Sequence, residues 1–378
     1  MSEPPSSSVP SAAQLREALD REGGPTVGIE EELMVLDAGT LDLSPGAEAL
    51  LASLDGDPRF KPELPAAQIE LITTPAATVG EAAAQLVEGR RALAHVAGEE
   101  LALAAAGAHP FTSEEGRLST AARYRRTREE YAWAARRQLV FGLHVHVRVR
   151  GAERAVAVHN AVRSYLPELA ALAANAPFHA GRDTGLASIR PKLSELLPRQ
   201  GVPPPLRDPE ELAEALAFGA RSGVFPDPGL WWWELRLHPV HGTIEIRVPD
   251  QQTTVSDTAA IAAVAHALVV WLADRHDAGE PLPCHPSWRI DENRWSACRH
   301  GVDGTLADLH TGEPRAARER IEWMLDRLQP TATAIGCASE LGAARRLIEA
   351  PGAERQRRVA ADGGLERLAR WLASRFVA

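Results

Sequence analysis

The sequence predicts an α+β protein built around an antiparallel sheet. Three observations lead there. Alternating apolar–polar segments come in neighbouring groups. The helical segments that separate them are very unequal in length. No Gly-x-Gly-x-x-Gly follows a strand and no P-loop is present, so a regular βαβ array is disfavoured.

The elements follow in order. Residues 1–10 are Ser/Pro-rich and polar and read as a disordered tail. Ser11 to Glu22 places Leu15, Ala18 and Leu19 at helical spacing, with Ser11 as N-cap, and Gly23-Gly24-Pro25 ends it. Thr26 to Asp37 alternates as a strand, and so does Gln68 to Thr73, which Pro75 stops. Val79 to Leu103 reads as one long helix, Gly107 to Phe111 as a turn and Leu118 to Leu139 as an Arg-rich helix. Phe141 to Val149 alternates strictly, and Glu153 to Asn175 is helical. A loop-rich stretch, Pro177 to Pro209, leads to a hairpin of Trp231–Leu237 and Thr243–Val248, joined through His238-Pro239-Val240-His241-Gly242. Ser256 is expected to cap a helix through Ala273, and the chain is mostly helical from Arg315 onward. No repeat or long linker divides it, so residues 11–378 are expected to form a single domain, with 310–378 as its helical C-terminal part.

Composition excludes several classes. At 378 residues the chain can bury a large core without disulfides. A net charge of −10 disfavours binding to duplex nucleic acid, which needs a basic face. Three cysteines without Cys-x-x-Cys spacing argue for a reducing cytoplasm and against a zinc knuckle. No basic-then-apolar leader opens the chain. The longest nearly apolar run, Ala259 to Ala273, contains His266 and falls short of the ~20 residues of a membrane span, so it reads as a buried helix. The expected location is cytoplasmic, with no membrane partner.

The informative pattern lies in strand parity. Side chains at i and i+2 share a face. One face of each strand is apolar; the other carries Glu30 and Glu32, then Gln68 and Glu70, then His144, His146 and Arg148, then Thr243, Glu245 and Arg247. Ordinary antiparallel alternation explains any one of these strands. Solvated faces, however, usually mix Lys, Thr, Ser and Gln. Carboxylates and imidazoles are the ligands of divalent cations, and four carboxylates with one or two histidines suit Mg²⁺ or Mn²⁺ better than zinc. The candidate metal ligands are therefore Glu30, Glu32, Glu70, His144 and Glu245, with Arg247 placed to meet charge that develops in phosphoryl transfer. A carboxylate-rich metal-dependent hydrolase fits the same residues.

The segments Thr26-Val27-Gly28-Ile29-Glu30-Glu31-Glu32, Ile69-Glu70-Leu71-Ile72-Thr73-Thr74-Pro75 and Gly142-Leu143-His144-Val145-His146-Val147 resemble signatures of bacterial carboxylate–amine ligases related to type 2 glutamate–cysteine ligase. So do Gly107-Ala108-His109-Pro110-Phe111, Asp183-Thr184-Gly185-Leu186-Ala187-Ser188-Ile189-Arg190, Thr243-Ile244-Glu245-Ile246-Arg247-Val248 and Glu292-Asn293-Arg294-Trp295. The matches keep one order from about residue 26 to 310. The resemblance implies a glutamine-synthetase-like curved antiparallel sheet, with the active site on its concave face and helices on the other side. It also implies a single catalytic domain, ATP and Mg²⁺ (or Mn²⁺) as cofactors, small-molecule acid and amine substrates, and a possible homodimer. By the same resemblance Glu30, Glu32, Glu70, His144 and Glu245 match metal ligands, His146 approaches the ATP phosphates, and Arg247 meets the transferred phosphate or substrate carboxylate. Arg190 would face a ligand, the cofactor above all. The implied activity is amide formation through an acyl phosphate, with at least weak glutamate–cysteine ligase activity. A nucleotide or metabolite sensor without turnover stands as a further alternative. Phe141, Arg148 and His179 depart from the family pattern, and Arg148 lies on the active face by parity. Arg123 to Arg128 read as a solvated helix face or as a phosphate contact, Trp231 to Trp233 as packing, and Asn293 and Arg294 as substrate contacts or caps.

Overall fold

The computed structural model describes residues 9–225 and 227–378, so most of the expected tail lies outside the described residues. Its centre is a seven-stranded antiparallel sheet. The strands are β1 (Val27–Asp37), β2 (Phe60–Pro62), β3 (Gln68–Ile72), β4 (Leu101–Ala104), β5 (Leu143–Arg148), β6 (Leu235–His238) and β7 (Thr243–Ile246). They run in the order β2-β3-β1-β5-β7-β6, with β4 paired to the far end of β1. Every pairing is antiparallel, as the short, grouped strands predicted.

The back of the sheet is a hydrophobic layer. Val27, Ile29, Leu33, Ile69, Leu71, Val145, Val147, Ile244 and Ile246 are buried there. Against it packs the core helix Val255–Asp277, flanked by Val79–Ala97, Ala152–Val162 and Ala317–Ala334. The core helix is apolar on all sides because it is surrounded; sixteen of its 23 residues are buried. It is long and apolar enough to cross a membrane by composition, but burial in this core accounts for that. Its N-cap is Thr254, whose hydroxyl accepts from the Asp257 N–H, so the helix begins earlier than the expected Ser256 cap and runs on to Asp277.

Other boundaries also differ from expectation. The Val79 helix stops at Ala97 because Gly98 takes φ +61°, and Leu101–Ala104 becomes a strand instead. The 118–139 segment is helical only over Arg125–Arg136, with a break at Ala132. The 153–175 segment is two helices, Ala152–Val162 and Leu166–Ala173, separated by a 3₁₀ turn, with Pro167 in the first turn of the second. Only Leu235–His238 of the Trp231 segment is a strand. Ser11 does cap the first helix, Ala12–Asp20, in a reciprocal box with Gln14.

The helices do not all lie behind the sheet. On the concave side, Met34 and Leu36 of β1 are covered by Leu368 and Leu372 of the C-terminal helix Gly352–Ser374, together with Phe141 and Phe178. One half of that face is thus sealed by apolar packing. The other half, from Glu30 to Glu32, opens into a cleft.

Candidate active site

Register brings the charged motifs together. Glu32 lies opposite Glu70, Glu30 opposite His144, and His146 opposite Glu245. Four segments distant in sequence therefore form one diagonal band across β3, β1, β5 and β7. The cleft above it has a volume of ≈ 450 Å³, within the ~300–1,000 Å³ of small-molecule sites. A larger hollow of ≈ 950 Å³, lined by Arg117, Arg128, Trp133 and Arg136, contains none of the motif residues.

Within the band, ligand atoms of Glu30, Glu70 and His144 lie within 4.8 Å of one another, and so do those of Glu30, His146 and Glu245. Glu30 belongs to both groups. The His144 Nδ1 lies 3.1 Å from Glu30 Oε2. An ionised carboxylate only accepts, so this nitrogen carries the imidazole proton and Nε2 presents a lone pair. Arg247 Nη1 approaches the same Nδ1 at 3.4 Å, a weaker contact that is incompatible with that proton. Both His144 Nε2 and His146 Nε2 are buried without a hydrogen-bond partner; the latter sits 3.2 Å from Glu30 Oε1 but out of line for a bond. Two orphaned imidazole nitrogens, one in each group and both facing carboxylates, fit divalent cations, one for each group.

The electrostatics agree. Burial pushes Glu70 well above the usual carboxylate range, aided by Glu30 and Glu63. Burial and Glu63 push Glu32 up to about 7. Burial also raises Glu30, but His146 and His144 outweigh it and hold it well below the usual range. Burial and Arg247 press His144 down to about 4, so it is neutral at neutral pH. Carboxyl groups thus crowd this face beyond what the protein's own cations keep ionised, Glu70 and Glu32 above all.

Glu245 is the exception. Both of its oxygens accept from Arg236, at 2.6 and 2.8 Å, and Oε1 also accepts from Arg247 at 2.5 Å. These arginines hold its carboxyl well below the usual range against the effect of burial. Glu32 joins neither three-atom group: one oxygen lies 3.7 Å from His144 Nε2 and the other accepts from the Gly142 N–H. Arg190 borders the cleft over Gly142, where a Cβ would collide with its guanidinium; its Nη groups donate to the carbonyls of Arg247 and Val248. A Cβ at Gly142 would meet both the Arg190 guanidinium and His144 Nε2, so Arg190 stands beside His144.

Arg148, on the active face by parity, turns away. Its guanidinium binds the carbonyls of Arg21 and Glu22 and borders no part of the cleft. Arg126 and Arg128 bind backbone carbonyls, whereas Arg123 and Tyr124 line the cleft and hold Glu63. Asn293 pairs with the Ala307 backbone and Arg294 with Glu234; neither lines the cleft. Sequence reasoning assigned no site role to Arg236, Lys61 or Glu63, and weighed Tyr124 only within the cluster Arg123 to Arg128. For Arg236 the signal was available, since it stands directly across the hairpin from Glu245. Glu63 lies in an irregular segment where parity says nothing.

The antiparallel sheet whose concave face gathers carboxylates, imidazoles and arginines is that of an ATP-dependent enzyme that joins carbon to nitrogen. The chain belongs to glutamate–cysteine ligase family 2, whose model matches residues 26–370. It is 40% identical over 357 residues to "Putative glutamate--cysteine ligase 2-3" of Rubrobacter xylanophilus, covering 92% of this chain and 96% of that protein. It is 34% identical to "Putative glutamate--cysteine ligase 2-1" of Mycolicibacterium vanbaalenii, covering 93% and 94%. In fold it is similar to the crystal structure of glutamate–cysteine ligase from Francisella tularensis in complex with AMP, with TM-score 0.69, 12% identity, and 95% and 90% of the two chains covered. It is also similar to a bifunctional glutathione synthetase from Pasteurella multocida, with TM-score 0.63, 14% identity, and 97% and 53% covered.

Proposed function

We propose that this chain condenses an acid with an amine through an acyl phosphate, with glutamate as the acid and cysteine as an amine, yielding γ-glutamylcysteine. The observation that carries this reading is the pair of carboxylate–imidazole groups sharing Glu30, each with an orphaned histidine Nε2; Glu30, Glu70 and His144 line the cleft, and His146 and Glu245 lie behind Glu30. Glu30, Glu70 and His144 would hold one Mg²⁺ or Mn²⁺ ion, Glu30, His146 and Glu245 another, with Glu32 beside the first. Such ions, when bound, neutralise phosphate oxygens during transfer.

The chain's own groups have distinct tasks. The carboxylate oxygen of the acid attacks the γ-phosphorus of ATP and ADP leaves; the amine then attacks the acyl carbon and phosphate departs. Arg247, anchored on Glu245, meets charge on the transferred group, and Arg236 keeps Glu245 fixed if Arg247 shifts. His146 is braced at Nδ1 by Thr243 Oγ1 at 2.9 Å, which leaves Nε2 facing Glu30 and Glu245. The resemblance puts Arg190 near the nucleotide, and its place in the cleft wall beside His144 supports contact with a bound ligand. The test is phosphate release and product mass from purified protein with ATP, Mg²⁺, glutamate and a panel of amines. Glutamate- and amine-dependent phosphate release is expected; hydrolysis of an ester or amide without ATP consumption would replace the ligase by a hydrolase.

A further inference from the structure

The ≈ 950 Å³ hollow lies back to back with the catalytic cleft and is separate from it. Two pieces of chain form the partition. Residues 64–66 and 117–119 pair edge to edge, the Ala66 N–H donating to the Arg117 carbonyl and the Ser119 N–H to the Leu64 carbonyl, both at 2.9 Å. Pro65 borders the cleft and Leu118 the hollow. Beside them, the Arg125–Arg136 helix turns Thr127 to the cleft and Arg128, Ala132 and Arg136, one every four residues, to the hollow.

The lining is cationic on a chain whose net charge is −10. Arg117, Arg128 and Arg136 stand against one carboxylate, Glu48. Glu48 is already satisfied: the Thr120 N–H and hydroxyl donate to it at 2.7 and 2.8 Å, and the Ser119 hydroxyl at 3.1 Å. Arg128 is tied to the carbonyls of Ser119 and Ala121 and shapes the wall. Arg136 has only Glu115, 3.9 Å away and beyond hydrogen-bond reach, and Arg117 has no hydrogen bond or ion pair among the described residues. Two guanidiniums are thus open to an anion, whose carboxylate or phosphate oxygens match their fork.

Trp133 is a second, independent feature of the lining. It is 52% exposed and belongs to no apolar cluster among the described residues, yet its ring is fixed. The indole N–H donates to Glu115 Oε1 at 2.7 Å, and the Arg137 guanidinium, held by Glu114 at 2.6 Å, lies over the ring at 4.9 Å from its centroid. An aromatic ring so held and left half bare offers a platform to a flat partner. Ala132, on the same wall, takes φ +41° and ψ −111°, a strained backbone for an L-residue that breaks the helix just before Trp133. Strain of this kind is retained at ligand clamps.

We propose that this hollow is a second ligand site, for a small flat-ringed organic anion: the ring stacks on Trp133, and the acid group, a carboxylate or a phosphate, pairs with Arg117 and Arg136. The volume falls within the ~300–1,000 Å³ of small-molecule sites, and three guanidiniums against one carboxylate on an acidic molecule favour an anion there. The inference is independent of the ligase reading.

The test is calorimetric titration of the full chain with four probes: 1-naphthyl phosphate, 1-naphthoate, 1-naphthalenemethanol (no charge) and cyclohexanecarboxylate (no flat ring). At least one of the two naphthyl anions should bind with a dissociation constant below about 1 mM, and the tighter of them names the acid group. The other two probes should bind about 10-fold more weakly or worse. Arg117→Ser should weaken the anion about 10-fold and leave the thermal midpoint unchanged, since no bond within the protein is lost. Trp133→Leu should weaken it about 3- to 10-fold. Arg247→Ala, on the far side of the partition, should bind the anion as the unsubstituted protein does. Binding of neither naphthyl anion overturns the proposal, and so does binding that survives Arg117→Ser and Trp133→Leu undiminished. Weakening by Arg247→Ala also overturns it, because the probe then sits in the catalytic cleft, and equal binding of cyclohexanecarboxylate removes the flat ring from the ligand class and Trp133 from the site.

Discussion

Glu30, Glu31 and Glu32 are consecutive, yet they live in two different chemical worlds. Glu31 points to the back of the sheet and is fully buried. There Arg90 grips both of its oxygens, at 2.8 and 2.6 Å, while Gln251 and Thr258 donate to Oε1 at 2.8 and 2.7 Å. Arg90 in turn donates to the carbonyls of Thr253 and Phe376, so one buried pair joins strand, core helix entry and C-terminus. On the other face Glu32 has Glu70 and Glu63 for neighbours, and Glu30 has only the imidazoles of His144 and His146 in place of an arginine. The contrast shows what a satisfied buried carboxylate requires in this protein, and so what the concave face lacks. A structural glutamate is surrounded by donors. A ligand-binding one is left waiting for a cation from outside.

The comparison can be broken most sharply on the concave side. Arg247→Ala should reduce turnover by about 10³–10⁵-fold, the range for an arginine that meets transition-state charge, and leave folding intact because Arg236 still neutralises Glu245. Steady-state kinetics beside a urea melt checks this; wild-type rates in the variant would remove Arg247 from the chemistry. On the back face the pattern should invert. Arg90→Leu strands the Glu31 charge and should cost about 3–5 kcal/mol of stability, whereas Glu70→Gln should abolish turnover without lowering the urea midpoint of the metal-free protein, because burial and its acidic neighbours already disfavour the Glu70 charge. If Glu70→Gln unfolds the chain as readily as Arg90→Leu does, the two faces are not different in kind.

Much of this was legible in advance because strand parity is rigid. A period of two places Glu30 with Glu32, and His144 with His146, on one face in any extended pairing. The order of strands was not legible, since register depends on contacts far apart in sequence. Glu31 was hidden by the same parity rule: it sits at an apolar-face position, and only its partner Arg90, 59 residues away, makes that burial tolerable. Arg148 shows the converse failure. Parity assigned it to the active face, but at the end of β5 a long side chain can turn to the carbonyls of a neighbouring loop. The missed strand Leu101–Ala104 has only four residues, too few for alternation to show against an Ala-rich helix.

His266 gives the smallest effect and the finest test, because it is an orphan on the satisfied side. It is fully buried in the core helix, with neither ring nitrogen hydrogen-bonded. No cleft reaches it, and burial alone pushes it down to about 4. An unpaired atom therefore marks a site only where a cavity and opposite charge accompany it, as at His144. The linkage has a definite sign. A histidine whose pKa is lower in the folded state contributes stability above its ordinary value near 6.5, and that contribution is lost as pH falls toward 4. His266→Leu keeps the volume roughly constant and removes both the titration and the unpaired nitrogens. It should raise stability by ~1 kcal/mol at pH 7, and the gain over wild type should widen as pH drops from 6.5 to 4. Urea midpoints taken across that interval decide it. A constant difference would mean that His266 stays equally protonated in both states, and a loss at pH 7 would mean that the imidazole has a role in the core which its orphaned nitrogens do not reveal.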